Sequence, residues 1–466
     1  MPYCFRYCVL LACLLSTACC APFAPDARSP AVAMPGGFAE AVPALSFVPR
    51  GGGEGWWRSF GNEELSQLVQ TALGDNFDVR TARARLLQLE ATARKSGADL
   101  WPSLTGNAGA GHTRRSVMTG TDAPRVETAS DSLSLGGAVS YELDLWGRVR
   151  SLREADSLRA EAGREDVRTA AMTVAASVTD AWIRLITARE EIRLVESQVE
   201  TNRVLLESLS IRFTNALGTG LDVLQQQEVH AASLAELPLI RAEESAQKTR
   251  MAILLGKTPG TEPSVRTEAL PELPPAPSSG LPAELLEQRP DIRSAWLTLA
   301  ASDWSVSAAS ADRLPKLTLS AEAAYNGQPN VLFSNWVTSL AAGLTAPLFD
   351  GGRRAAEVER TRAVVEEHIQ QYAKTVATAV GEVQDALVAE ARQREYVERL
   401  TEQLRFALLA RDEAQQGYVN GRDDFLRFIT EHKNVQALER RVLQQQAALL
   451  RYRVELHRAL GGTLLL

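Results

Sequence analysis

The side chains with reactive chemistry are spread unevenly along the 466-residue chain. All five cysteines, Cys4, Cys8, Cys13, Cys19 and Cys20, lie within the first twenty positions, so the body has no thiol nucleophile and no structural disulfide. The five histidines, His112, His230, His368, His432 and His457, are scattered, with no His-Glu-x-x-His pair and no cysteine partners for zinc. Gly256-Lys257-Thr258 has the ending of a phosphate-binding loop, but Met251 stands where the upstream glycine is needed, and the segment follows a helical pattern rather than a strand. Asp350-Gly351-Gly352 reads as a turn. These residues offer no metal, cofactor or catalytic site, and the expectation is a protein that is not an enzyme.

The remaining chemistry is at the N-terminus. Arg6, the apolar run Tyr7 to Leu15 and the small residues Ser16-Thr17-Ala18 read as an export signal over 1–18. The run is shorter than the roughly 20 apolar residues that cross a bilayer. A cleavage site ending in cysteine resembles a lipobox, in which Cys19 is acylated, with Cys20 as the alternative acceptor. Residues 19–55 then form an extended, lipidated linker. No later stretch holds 18 apolar residues, so any crossing of a membrane must use strands. The charge balance, 50 Lys and Arg against 57 Asp and Glu, gives no basic footprint for nucleic acid.

The elements that would position these groups are organised by a tandem repeat. Asn76 to Ala82 answers Arg289 to Ala295, and Trp101-Pro102-Ser103-Leu104 answers Leu314-Pro315-Lys316-Leu317, both at an offset of 213. Gly147-Arg148 answers Gly352-Arg353, Phe213 answers Tyr418, and Leu255-Gly256 answers Leu460-Gly461, all at 205. The repeats therefore run over 56–270 and 283–466, separated by a Pro-rich hinge at 271–282, and their difference of 8 falls between Pro102 and Gly147.

Each repeat predicts the same series. A first helix, about 64–100, stops at Trp101-Pro102. Strands follow at about 103–112 and 132–145 in the first repeat, and at about 317–325 and 336–348 in the second, close to the 9–11 residues of a membrane strand. Then comes a helix of about 149–216. Its apolar seam steps by four and three from Val167 through Val195 to Phe213, broken only by Asn202. At 1.5 Å per residue it is roughly 100 Å long. The closing helices, about 221–256 and 425–460, are half that length. First and last helices stacked end to end would match the long one. Gly147 and Gly352 sit where a strand becomes a long helix, a junction that needs a backbone angle a glycine tolerates. Four strands cannot close in lipid, whereas three copies would supply twelve.

The segments Ser140 to Arg148, Leu281 to Ile292, Ala346 to Arg353 and Glu382 to Leu387 resemble the signatures of the TolC-like outer-membrane efflux protein family, and of its lipidated branch that serves resistance-nodulation-division pumps. The resemblance covers about 56–462. It implies a mainly α-helical fold with a membrane β-barrel: a homotrimer with a twelve-stranded barrel continuing into a periplasmic α-helical barrel and collar. It also implies docking to a periplasmic adaptor and an inner-membrane pump, and a passive exit duct for small molecules. In that family the turns Asn215 to Asp222 and Gly417 to Phe425 converge and close the duct. The candidate gate residues are therefore Tyr418, Arg422, Asp423, Asp424 and Asp222, with Glu431 in the place of an inner acidic ring. Asp423 and Asp424 also fit a plain helix-capping role. Gly147, Arg148, Gly352 and Arg353 are the strand–helix junction candidates. The alternatives are an exit duct for type I protein secretion and a non-channel coiled-coil scaffold lipoprotein.

Overall fold

The computed structural model describes Phe23 and residues 55–118, 125–261, 265–277, 288–327 and 336–462. The export signal, Cys19, Cys20, nearly all of the linker and residues 278–282 of the hinge lie outside the described residues.

A short 3-10 turn, Trp56–Phe60, precedes α1 (Glu63–Asp75), α2 (Phe77–Ala98), β1 (Ser103–Val117), β2 (Val126–Leu143), α3 (Arg148–Thr214) and α4 (Gly220–Leu254). The second series is α5 (Pro290–Ala311), β3 (Lys316–Gly327), β4 (Trp336–Thr345), α6 (Arg353–Val419) and α7 (Phe425–Ala459). Equivalent helices match in length: α2 and α5 have 22 residues, α3 and α6 have 67, α4 and α7 have 35. Their boundaries are displaced by the same 213 and 205 that relate the sequence landmarks.

The chain divides into two units. The first takes in Leu86–Gly163 and Ala295–Tyr372 and contains the sheet, ordered β1-β2-β3-β4 and antiparallel throughout. The repeat survives in its register. The pair Ser103↔Ser140 in β1/β2, displaced by 213 and 205, becomes Lys316↔Thr345, which is the pair found in β3/β4. The first hairpin runs further than the sequence expectation of 103–112 and 132–145. Its ladder continues through Thr113 to Val117 and Val126 to Asp131, a polar stretch that a search for apolar alternation stops short of. β2 stops at Leu143 because Asp144 turns to cap α3, and β4 stops at Thr345, ahead of Pro347, which has no N–H to give a ladder.

The second unit includes Arg164–Ser294 and Ala373–Leu466 with the segment up to Arg85. Its main core joins Trp56, Trp57 and Phe60 of the 3-10 turn to Leu65 and Val69 of α1, Trp182 and Ile186 of α3, and Leu450 and Val454 of α7. The single first helix expected over about 64–100 is broken at Asn76, which is buried. Its Nδ2 donates to the carbonyl of Leu254 at 2.8 Å, while its Oδ1 accepts from the backbone of Asp78 at 2.8 Å and so starts α2. The described part of the hinge is strapped down rather than free. Arg453, only 1% exposed, binds the carbonyl of Pro274 and pairs with Glu390, its Nε donating at 2.9 Å. Upstream, Glu64 accepts from the backbone N–H groups of Arg266 at 2.6 Å and Thr267 at 3.0 Å.

Candidate functional site

Three sets of residues carry the functional question: the sheet, the strand-to-helix junctions and the turns between long and short helices. In the sheet, opposed residues share a face. One face gathers Leu104, Ala108, Leu133, Leu135, Val139, Leu317, Leu319, Leu340 and Leu344; the other gathers Thr105, Asn107, Ser132, Ser134, Ser140, Thr318, Ser320, Glu322 and Asn326. An apolar face and a polar face on one sheet is the pattern of a membrane barrel wall, lipid outside and lumen inside. Among the described residues β1 and β4 are each paired on one side only.

At the first junction Gly147 takes φ 77°, the left-handed region that favours glycine. Asp144 accepts from the backbone N–H groups of Val149 at 3.0 Å and Arg150 at 2.8 Å, satisfying the start of α3. Arg148 grips Glu142 with two parallel bonds of 3.0 and 2.8 Å, and the indole of Trp146 donates to the carbonyl of Pro315 at 2.7 Å. At the second junction Gly352 takes φ 87° and Gly351 φ 65°. Here Asp350 accepts from the backbone of Gly352 at 3.0 Å and of Arg354 at 3.2 Å. Arg353, the sequence equivalent of Arg148, is exposed, and Arg354 forms the ion pairs instead, with Asp312 and Asp350 at 3.0 and 3.1 Å. The exchange follows from Pro347 standing where the first repeat has Glu142.

The two helix-to-helix turns differ in chemistry. In the first, Ala216 is held at φ 58°, and Thr219 with Asp222 forms a reciprocal cap on α4, with bonds of 3.2 and 3.1 Å. In the second, Gly421 takes φ 70°, and Asp424 caps α7 by accepting from the N–H of Arg427 at 3.1 Å. Asp423 accepts from the Arg427 guanidinium at 2.6 Å and lies 3.8 Å from that of Arg422, which in turn binds Glu413 at 2.6 Å. Asp423 is thus neutralised within its own turn, whereas Asp424 is exposed. Glu431 is half-buried, further along α7. Tyr418 stacks on Phe428 at 6.3 Å and meets Phe425 edge-on at 5.5 Å, and burial pushes its hydroxyl pKa up. Over the Tyr418 ring, at 5.0 Å, sits the guanidinium of Arg212, from the end of α3. Sequence reading missed Arg212, whose equivalent in the repeat is Gly417 and carries no hint of it.

It also missed a buried polar layer further from the turns. Asn202, fully buried on α3, donates to Ser233 of α4 at 2.7 Å and to Gln436 of α7 at 3.3 Å. Its Oδ1 lies 3.1 Å from the Gln436 amide nitrogen and 2.8 Å from Nε2 of His432. Gln226 of α4 closes the layer by donating to the Asn202 carbonyl at 2.9 Å. Burial pushes the His432 pKa down to about 4, with Arg411 adding to the shift.

The outer membrane efflux protein family model matches residues 68–257 and 281–462, and the chain belongs to that family. The pyoverdine export outer membrane protein OpmQ of Pseudomonas aeruginosa is 32% identical over 426 residues, covering 87% of each chain. The protein of the same name from Pseudomonas putida is 31% identical over 417 residues, again 87% of each. Among solved structures, the outer-membrane channel OprN superposes with a TM-score of 0.85 at 27% identity, covering 95% of this chain and 99% of that one. VceC from Vibrio cholerae gives 0.80 at 25% identity, covering 87% and 98%. The chain is therefore an outer-membrane channel component of an efflux system, with the TolC-like fold that the sequence resemblance implied.

Proposed function

We propose that the chain works as a homotrimeric, lipid-anchored and passive exit duct, fed by a periplasmic adaptor and an inner-membrane pump. The observation that carries this reading is the four-stranded sheet with one apolar face, one polar face and two open edges. In lipid an unpaired edge costs several kcal/mol per orphaned backbone group, so the sheet must close on copies of itself. Three copies give twelve strands, within the range of bacterial barrels. Catalysis has no place in the scheme, since the pump supplies the energy. The two OpmQ relatives are named for pyoverdine export, so pyoverdine is the first cargo to assay, ahead of the solvents and antibiotics for which other relatives are named.

The gate is assigned to the second turn. Asp424, exposed and free of a guanidinium partner in its own turn, would form a ring of three carboxylates on a threefold axis, with Asp423 held behind it by Arg427. Asp424→Asn keeps the cap, because Asn and Asp cap equally well, and removes only the charge. Purified trimer in a planar bilayer should conduct, and the Asp423→Asn/Asp424→Asn variant should conduct more and lose cation preference. Unchanged conductance and selectivity would move the gate elsewhere; no channel at all would sink the duct reading.

A further inference from the structure

On the polar face of the sheet, charge is confined to the two ends, with one exception. At the helix-proximal end Glu142 pairs with Arg148 and Lys316 with Asp312, each at 2.8 Å. At the far end stands Arg115, opposite Thr128. Between these ends every described residue of the face is uncharged except Glu322 of β3. We propose that Glu322 is a charge filter in the barrel lumen: three copies set three carboxylates around the axis, where they enrich cationic solutes and hold back anionic ones. The proposal rests on the homotrimeric duct reading above and deepens it by naming the charge class of solute that the barrel favours.

Nothing near Glu322 neutralises it. The side chain is exposed and forms no ion pair among the described residues. Across the sheet its neighbours are Ala138 and Ser339, and along the strand Ser320 and Ala324 share its face. All four are shorter than a glutamate, so the carboxylate stands clear of the wall. The hairpin loops 119–124 and 328–335 contribute no Lys or Arg. Arg115 is ten residues along β1 from Thr105, which is level with Glu322 through Ala138. At 3.3 Å per residue and a tilt near 40° that is about 25 Å along the barrel axis, more than two screening lengths at 0.1 M salt. The first repeat has Gly109 where the second has Glu322, so each chain brings one carboxylate rather than two.

The strength of the filter follows from the width of the ring. Twelve strands about 4.8 Å apart and tilted near 40° close at a diameter of about 24 Å. A glutamate reaching about 5 Å inward leaves its carboxylate about 7 Å from the axis. In water, with screening over about 10 Å at 0.1 M salt, three such charges enrich a monovalent cation on the axis about fourfold. At 1 M the screening length falls to about 3 Å, and the enrichment to about a third above bulk. A ring this wide does not bind an ion. It sorts by charge, and only in dilute salt. The gate carboxylates belong to the other unit of the chain, so the two can be removed separately.

The test uses the full-length trimer in a planar bilayer, in the Asp423→Asn/Asp424→Asn background so that the gate carboxylates no longer select. Reversal potentials are read in potassium chloride gradients centred on 1 M and on 0.1 M. The channel should be close to unselective at 1 M and should favour potassium over chloride about fourfold or more at 0.1 M. Glu322→Gln should abolish the preference at 0.1 M, and Glu322→Lys should invert it. Should the lysine variant fail to assemble, the nearly isosteric Glu322→Gln still decides. A 0.1 M preference that Glu322→Gln leaves unchanged, or no preference at 0.1 M before it, overturns the filter while the duct stands. If no channel forms in any of these proteins, the duct reading fails and the filter fails with it.

Discussion

Asn202→Ala removes the centre of the polar layer that ties α3 to α4 and α7, and its cost can be worked from the contacts. The substitution strips partners from Ser233, His432 and Gln436, all buried. A buried polar group left without a partner costs about 1–3 kcal/mol. Ser233 keeps its bond to the carbonyl of Val229, and the Gln436 amide nitrogen and Nε2 of His432 keep each other at 3.0 Å, so the low end of that range applies to each. A total of about 3 kcal/mol follows, which at 1.4 kcal/mol per decade raises the local opening constant about 100-fold.

Hydrogen exchange on the reconstituted protein reads that constant directly. Peptides covering 198–206 and 429–439 should lose about 100-fold in protection, while a peptide around Trp182, in the separate core cluster, should stay within about threefold. The asymmetry of polar burial supplies a second arm. Asn202→Leu/His432→Leu/Gln436→Leu replaces most of the layer by apolar side chains and should be near neutral or stabilising, as buried polar sets often are when exchanged whole. A loss under about threefold in the Asn202→Ala protein would refute the reasoning, because the layer would then be water-filled or redundant.

Acid should loosen the same layer. His432 has its pKa lowered to about 4 in the folded chain against about 6.5 when exposed, so the unfolded form binds the extra proton between those values. Its contribution is complete above about pH 6.5 and falls as pH drops toward 4, by roughly 3 kcal/mol in all. Exchange of the 429–439 peptide at pH 7 and pH 5 should show this, and His432→Gln should flatten the dependence; an unchanged slope would remove His432 from it. At the junctions, Gly147→Val or Gly352→Val forces a β-branched residue to φ 77° or 87°, and should lower trimer yield on native gels. Normal assembly of both variants would show that the turns tolerate the strain.

The repeat made much of the fold legible before any coordinates. Landmarks such as Trp101-Pro102 and Gly147-Arg148 fixed offsets that every helix pair and the sheet register obey. What escaped is long-range. Asn202 was visible as a polar break in an apolar seam, but His432 and Gln436 lie more than 200 residues away and follow no repeat offset from it. The pairing of Arg453 with Glu390 is equally silent, because each is an ordinary charged residue in a helix full of them. The break at Asn76 was hidden because an asparagine that caps a new helix and one on a solvent face read alike. At the second turn the expected helix cap is made by one of the two aspartates. Asp424 caps α7 and is exposed, and which of the two adjacent aspartates is neutralised depends on where Arg427 reaches.

The difference of 8 between the offsets has a location and a consequence. Measured from Ser103 to Ser140 the first hairpin is longer by that amount than the second from Lys316 to Thr345, yet both ladders keep step at the helix-proximal end. The extra length therefore stands wholly at the far end. Among the described residues, beyond the pair Leu133↔Gly327, where β3 ends, β1 and β2 have only each other. The face that is apolar below this level turns charged above it, with His112 bonded to Asp131 at 2.8 Å, then Arg114, then Glu127. Charged side chains on an outward face are costly within the hydrocarbon layer and tolerable beyond it. The duplication thus preserved the apolar band and the pairing at the base of both hairpins, and diverged at the far end of the first.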